Sequence, residues 1–451
     1  QFSSPLIPGI RPLQHSWSPG MAIIKSLVFA VLLTASTALP PVAVGNTVQK
    51  GTASLTQVHN PKFVRNGPLE LERTLRKYGA PVPHDLKAAV KRVRRARNQK
   101  RAESEGADDD DDDDDENDRG SVQNSPKSYD VEYLMPVSLG TPAQQLNLDL
   151  DTGSSDFWVF STLLKESMIN GQTLYDPNAS TTADKMEGYS WKITYGDQSY
   201  SSGDVYVDTV TIGDLTVSTQ AVEAAREVSE EFTADSDNDG LVGLGFGIIN
   251  TVMPYKQKTF FEKAMPGLDS PVFTADLKSG APGRYNFGYI DDGAYTGNIT
   301  YVPVNSSDGF WSWVSPGFQV GTTGSFNSTR IHGIADTGTT LLLLPEGVCE
   351  AFYGRIASAK YDASQGGYTF ECNDSTTPDF YFGTGNGQMI RIPGSYLAYS
   401  KTDTSSLRCF GGMQSDSGVG FTIWGDIALK AAFIVFDQGS ERLGWAEKSL
   451  Y

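Results

Sequence analysis

Two short runs carry the residues best able to do chemistry. Asp151-Thr152-Gly153-Ser154 follows Leu146, Leu148 and Leu150, which alternate with polar residues as in a half-buried strand. Asp336-Thr337-Gly338-Thr339 repeats the arrangement 185 residues later (336 − 151). Each run has a later companion, an apolar pair closed by glycine. Leu241-Val242-Gly243 ends 92 residues past Asp151, and Ile423-Trp424-Gly425 ends 89 past Asp336. Matched motifs at matched spacing predict two similar halves, each delivering one carboxylate at the end of a strand. Two carboxylates in contact cannot both ionise, so they share a proton and titrate in two steps. One can then take a proton from water while the other gives one to a carbonyl oxygen. The chemistry indicated is hydrolysis by an activated water, with no covalent intermediate.

Composition narrows the alternatives. Of four histidines only His332 lies beyond residue 84, so a Ser-His-Asp, Cys-His or multi-histidine metal site in the body would rest on that residue. His332 is expected to pack beside the second aspartate run, and neither a metal nor an organic cofactor is expected. Gly 46 and a charged content of 20% suit a turn-rich β protein. The net charge is −18, and from Arg119 onward 20 Lys and Arg stand against 39 Asp and Glu. Nucleic acid is therefore not an expected partner.

The elements that position the two runs follow in chain order. Residues 1–20 read as an upstream extension, and 21–38 as a secretory signal peptide, with an apolar core ending in small residues. Residues 39–120 read as a propeptide. Within 61–101 there are 13 Lys and Arg against three acidic residues, a net of +10 (13 − 3). Residues 69–78 form an expected amphipathic helix stopped by Gly79 and Pro81. Farther on, Arg94-Arg95 and Lys100-Arg101 offer dibasic processing sites, and an acidic low-complexity block occupies 108–118. A basic segment ahead of an acidic body suggests an intramolecular inhibitor held by charge. Residues 121–299 are expected to form one lobe and 300–451 the other. Around residue 195, Trp191 to Thr194 and a strand resumed from Asp204 to Ile212 flank a turn, Tyr195-Gly196-Asp197, which reads as a β-hairpin. No hydrophobic tail follows the last strands, so no membrane anchor is expected.

Taken together, the two D-T-G runs, their glycine companions and the hairpin resemble the pepsin-like aspartic proteases, most closely the secreted fungal type, from about residue 129 onward. The resemblance implies an all-β, bilobal fold with two internally similar lobes and a central cleft. It implies a secreted acid endopeptidase, monomeric, acting on protein and peptide substrates, with Asp151 and Asp336 as catalytic pair. Thr152 and Thr337 would cross-link the two loops, while Ser154 and Thr339 would hydrogen-bond the carboxylates. Gly153 and Gly338 belong to the same runs, and Gly338 would join Gly196 and Asp197 in binding substrate main chain. Tyr195 would tip a flap, its hydroxyl held by Trp158, and Phe232 and Leu241 would line an apolar S1 pocket. Asp197 over that pocket would admit Lys at P1 beside large apolar residues. Lys77-Tyr78 resembles the pair with which pepsin-type prosegments block the dyad. Cys372 and Cys409 fit the disulfide that fungal relatives carry, leaving Cys349 over. The other reading is a non-catalytic binding protein on the same fold, which intact D-T-G runs, Tyr195 and Trp158 disfavour.

Overall fold

The computed structural model describes residues 51–58, 64–105, 134–194, 200–233, 236–372, 377–403 and 406–450. The expected signal peptide, the acidic block and the hairpin tip bearing Tyr195, Gly196 and Asp197 lie outside the described residues.

Alternation builds the strand that delivers the first aspartate. In Gln144–Asp151, Leu146, Leu148 and Leu150 are buried on one face, each worth roughly 2 kcal/mol of apolar burial. This strand runs parallel to Gly240–Gly243, which in turn lies antiparallel to Phe157–Val159. The second half repeats the plan: Ile331–Ala335 runs parallel to Thr422–Trp424, which lies antiparallel to Leu342–Leu344. The glycine companions read from the sequence are thus the neighbours of the two catalytic-run strands. Close approach demands them. A Cβ on Gly243 would sit 2.5 Å from the Ser155 Cα, and one on Gly425 would sit 2.3 Å from the carbonyls of Thr339 and Leu341.

Around the first half, a seven-stranded sheet folds back on itself, Leu134–Leu139 pairing with both Gln144–Asp151 and Tyr200–Ile212. The second half uses a five-stranded sheet with smaller sheets beside it. A six-stranded antiparallel sheet takes strands from both sides of residue 300, from Val272–Asp276 to Arg442–Glu447. Its aromatic layer includes Phe273 stacked on Phe436 at 4.5 Å, with Trp311 edge-on to both.

The upstream segment is part of this fold. Ala53–Thr56 forms an edge strand of the six-stranded sheet, paired with Arg284–Phe287. Helix α1 (Gly67–Lys77) begins at Asn66, whose side chain accepts from the Leu69 N–H, and Gly79 (φ +67) turns the chain away beyond it. The basic run, for which no secondary structure is expected above, folds as helix α2 (His84–Glu105). Leu86, Ala89 and Val90 bury at helical spacing. They settle over a hairpin where Gly366 leaves room: a Cβ there would meet the Leu86 Cα at 2.5 Å. His332, expected to pack beside its aspartate run, is instead exposed, because alternation along Ile331–Ala335 turns it away from the core.

Candidate active site

The two aspartate loops meet. Thr152 N–H donates to Thr337 Oγ1 at 3.1 Å, and Thr337 N–H donates to Thr152 Oγ1 at 3.0 Å. Each hydroxyl then reaches across to the other half, Thr152 to the Ala335 carbonyl at 2.8 Å and Thr337 to that of Leu150 at 2.5 Å. These bonds are buried, where an unmade partner costs about 1–3 kcal/mol, so the two loops are held in one register.

Asp151 and Asp336 lie at this junction, both fully buried and both within reach of the one Lys77 Nζ. Each accepts from the glycine two residues on, Gly153 N–H at 2.8 Å and Gly338 N–H at 3.0 Å. Neither glycine tolerates a side chain: a Cβ on Gly153 would lie 2.4 Å from Asp336 Oδ1, and one on Gly338 would lie 2.3 Å from Asp151 Oδ1. The outer hydroxyls differ. Thr339 Oγ1 donates to Asp336 Oδ2, whereas Ser154 Oγ and Asp151 Oδ2 are both buried with no hydrogen-bond partner among the described residues. The expected bond from Ser154 is therefore not made here. Asp151 instead uses Oδ1 for both Gly153 and Lys77.

Lys77 and Tyr78, at the end of α1, occupy the space between the carboxylates. Lys77 Nζ donates to Asp151 Oδ1 at 2.8 Å and to both oxygens of Asp336 at 3.0 Å. Tyr78 donates its hydroxyl to Asp336 Oδ2 at 2.6 Å, its ring edge-on to Phe310 and Phe421. Burial pushes the Asp151 carboxyl up, against the pull of Lys77. Burial also acts to raise Asp336, yet the Lys77 charge and the hydrogen bonds from Thr339 and Tyr78 help hold it below the ordinary carboxylate value. Burial disfavours the Lys77 ammonium, but the two carboxylates raise its pKa overall.

The segment bearing Lys77 is braced from within. Glu72, buried, accepts from Arg76 at 2.6 Å and from Arg94 of α2 at 3.1 Å. Glu70 accepts from Thr340 Oγ1 at 3.3 Å. The described pairs of Glu72 with Arg76 and Arg94 run inside the segment, whereas Lys77 bridges to acidic groups of the body.

Trp158 is buried against Phe160, Trp191 and Phe232, with ring centroids 5.6, 6.1 and 5.3 Å away. Leu241 packs into the same cluster. The Trp158 indole N–H has no hydrogen-bond partner among the described residues, and Tyr195 lies outside them. Cys372 and Cys409 form a disulfide, and Cys349 is a buried free thiol. Two further carboxyls near the dyad escaped sequence reasoning. Asp149 is pushed up by burial and then by the charge of Asp151, and Asp426 is buried and raised by burial and then by Asp149. Period-two alternation, which puts residues 149 and 151 on one strand face, was the available signal for the first.

Two loops of one kind, cross-linked by threonines and each presenting an aspartate at a shared centre, define an aspartic peptidase architecture. The sequence model of the family described as eukaryotic aspartyl protease matches residues 132–448. The chain belongs to that family, and its fold is the all-β, bilobal pepsin-like one. It is 50% identical to endothiapepsin of Cryphonectria parasitica over 410 residues, covering 90% of this chain and 93% of that protein. Penicillopepsin-2 of Penicillium janthinellum is 44% identical over 428 residues, covering 94% of this chain and 98% of that protein. Aspergillopepsin-1 of Aspergillus fumigatus is 43% identical over 430 residues, covering 95% and 100%.

Proposed function

We propose that this aspartic protease is made as a zymogen and, once freed of its upstream segment, hydrolyses internal peptide bonds at acid pH. Asp151 and Asp336 hold one proton between them. The ionised member takes a proton from a water as its oxygen attacks the scissile carbonyl, and the protonated member gives its proton to the carbonyl oxygen. Collapse of the tetrahedral intermediate breaks the C–N bond, and the amine leaves with a proton returned from the dyad. The reciprocal threonine bonds, which hold two buried aspartates at one junction where a single Lys77 Nζ touches both carboxyls, are the observation that carries this reading.

Residues 39–120 serve as the inhibitor, with Lys77 neutralising the dyad and Tyr78 filling the site. Matches covering 90% or more of the chain reach well upstream of residue 132, which supports treating this segment as part of the precursor. Residues 21–38 direct secretion; no described helix is long and apolar enough to cross a membrane. The mature enzyme acts as a monomer, and its S1 pocket, lined by Phe232 and Leu241, takes large apolar residues and, through Asp197, Lys.

The test is hydrolysis of a denatured protein between about pH 3 and 6, where a shared-proton dyad works, with and without a statine-type inhibitor. Inhibitor-sensitive cleavage that disappears in Asp151→Asn and in Asp336→Asn is expected. Failure of the acid-treated native chain to cleave, with the upstream segment shown to have left, would overturn the reading.

A further inference from the structure

A second pair of carboxyls lies closed off from solvent just past the first catalytic run. Asp156 is 4% exposed and Glu223 1%. Asp156 leads into the strand Phe157–Val159, and Glu223 stands on Leu215–Val228 in register with Trp158. Both side chains close on the same Asn250 amide, so two carboxyls share one buried enclosure, where ionising both at once is costly. Asn250 spans both, its Nδ2 lying 3.0 Å from Asp156 Oδ1, 2.9 Å from Glu223 Oε1 and 3.2 Å from the Ser155 carbonyl. Thr251 N–H donates to Asp156 Oδ1 at 2.7 Å. Among the described residues Glu223 Oε2 is buried with no donor, and a shared proton supplies what it lacks.

Among the described residues no neutralising cation is in contact with the pair. Phe157–Val159 and Gly240–Gly243 carry no charged residue. The loop after Asn250 brings Lys256, which acts on Asp156 through space while its amine donates to the Ile248 carbonyl, and Lys258. On neighbouring strands, Arg226 and Lys185 are paired with Asp204 at 2.5 and 3.0 Å, Glu227 lies beside Arg226, and Asp208 is bound by Tyr175 and Thr182. Glu262 and Lys263 of the short helix packed on Leu215–Val228 bond to Gly247 and Thr219.

We propose that Asp156 and Glu223 hold one proton between them as a latch beneath the first catalytic loop, and that losing this proton sets the upper pH limit of the fold. The latch fastens the segment after Asp151 to two other elements. The Gly243 N–H bonds the Asp156 carbonyl at 2.8 Å, and Ser155 Oγ bonds that of Phe246 at 2.7 Å. Burial raises both carboxyls, and Asp156 raises Glu223 further. A carboxyl raised on folding contributes stability that is whole below its ordinary pKa and is lost as pH climbs through the folded value. Above that point two negative charges share one apolar enclosure, and the latch opens.

The test follows unfolding of the full chain by near-ultraviolet circular dichroism from about pH 5 to 8, for the native protein, Glu223→Gln and Asp156→Asn. Unfolding is the readout, so the result stands whether or not Asp151 and Asp336 carry the chemistry. Glu223→Gln keeps a donor facing Asp156 without a titrating proton. It is expected to unfold roughly tenfold more slowly than native at the alkaline end, equivalent to about one pH unit, with a flattened pH dependence. Asp156→Asn flattens it likewise, so either variant suffices should the other fail to fold. An unchanged pH dependence, or destabilisation by the same factor at every pH as ordinary packing loss would give, overturns the proposal.

Discussion

Thr152 and Thr337 each donate a backbone N–H to the other's hydroxyl, at 3.1 and 3.0 Å, from positions 185 residues apart. The alignment of the dyad therefore belongs to neither half alone. Thr337→Val removes an acceptor and a donor at once and leaves the Thr152 N–H buried without a partner. Activity is expected to fall by about a hundredfold, since small misplacements of catalytic groups cost on that order. Thr337→Ser, which keeps the hydroxyl, should recover most of it in the same peptide assay.

Lys77 should be the chief lock. Its contact lowers Asp336, and a carboxyl lowered on folding contributes stability that is present above its ordinary pKa and lost as pH falls through the folded value. Lys77 itself is raised, so its contribution persists below the ordinary lysine value. The lock is thus closed at neutral pH and opens on acidification. Lys77→Met is expected to release the upstream segment at a pH about one unit higher than native, measured by segment dissociation on a pH ramp.

Gly338→Ala should abolish turnover without unfolding the protein. The added methyl would lie 2.3 Å from Asp151 Oδ1 and 2.7 Å from the Lys77 Nζ. A loss of roughly a hundredfold or more in kcat is expected, with circular dichroism unchanged. Native-like activity would show that the loop can shift to accept it.

The Cys372–Cys409 bond closes a separation of 37 residues, for which chain-entropy arguments give about 4 kcal/mol. Thermal unfolding of Cys409→Ser should show most of that loss. The dyad lies elsewhere, so kcat at low temperature should hold.

Substitution at the hairpin tip tests specificity. Asp197→Asn is expected to depress cleavage after Lys by at least about tenfold relative to Phe, the worth of one close charge pair. Competing peptides in one reaction would read the ratio directly.

Much of this architecture was legible because its constraints are local. The alternation of Leu146, Leu148 and Leu150 fixed a strand face, and the paired glycines 243 and 425 marked where backbones cross closely. Helix α2 was harder to see: its run is dominated by Lys and Arg, and only Leu86, Ala89 and Val90 give it an apolar stripe. The bare hydroxyl of Ser154 was invisible for another reason. Which oxygen of Asp151 is engaged depends on Lys77, 74 residues upstream in sequence. Asp156 and Glu223 became a pair only through long-range folding, and no spacing rule announces such a contact.

The strand Ala53–Thr56 also ties maturation to colloidal behaviour. While it is in place, the backbone of Arg284–Phe287 is paired on both sides. Were the upstream segment to leave with no other strand taking its place, one side of Arg284–Phe287 would lose its partner, and Arg284 is the one charged side chain on that strand. An open edge of this kind is a template for adhesion between molecules. On the proposed maturation, an edge left open in this way would change how the molecule meets its own kind in concentrated solution, independently of any peptide it cuts.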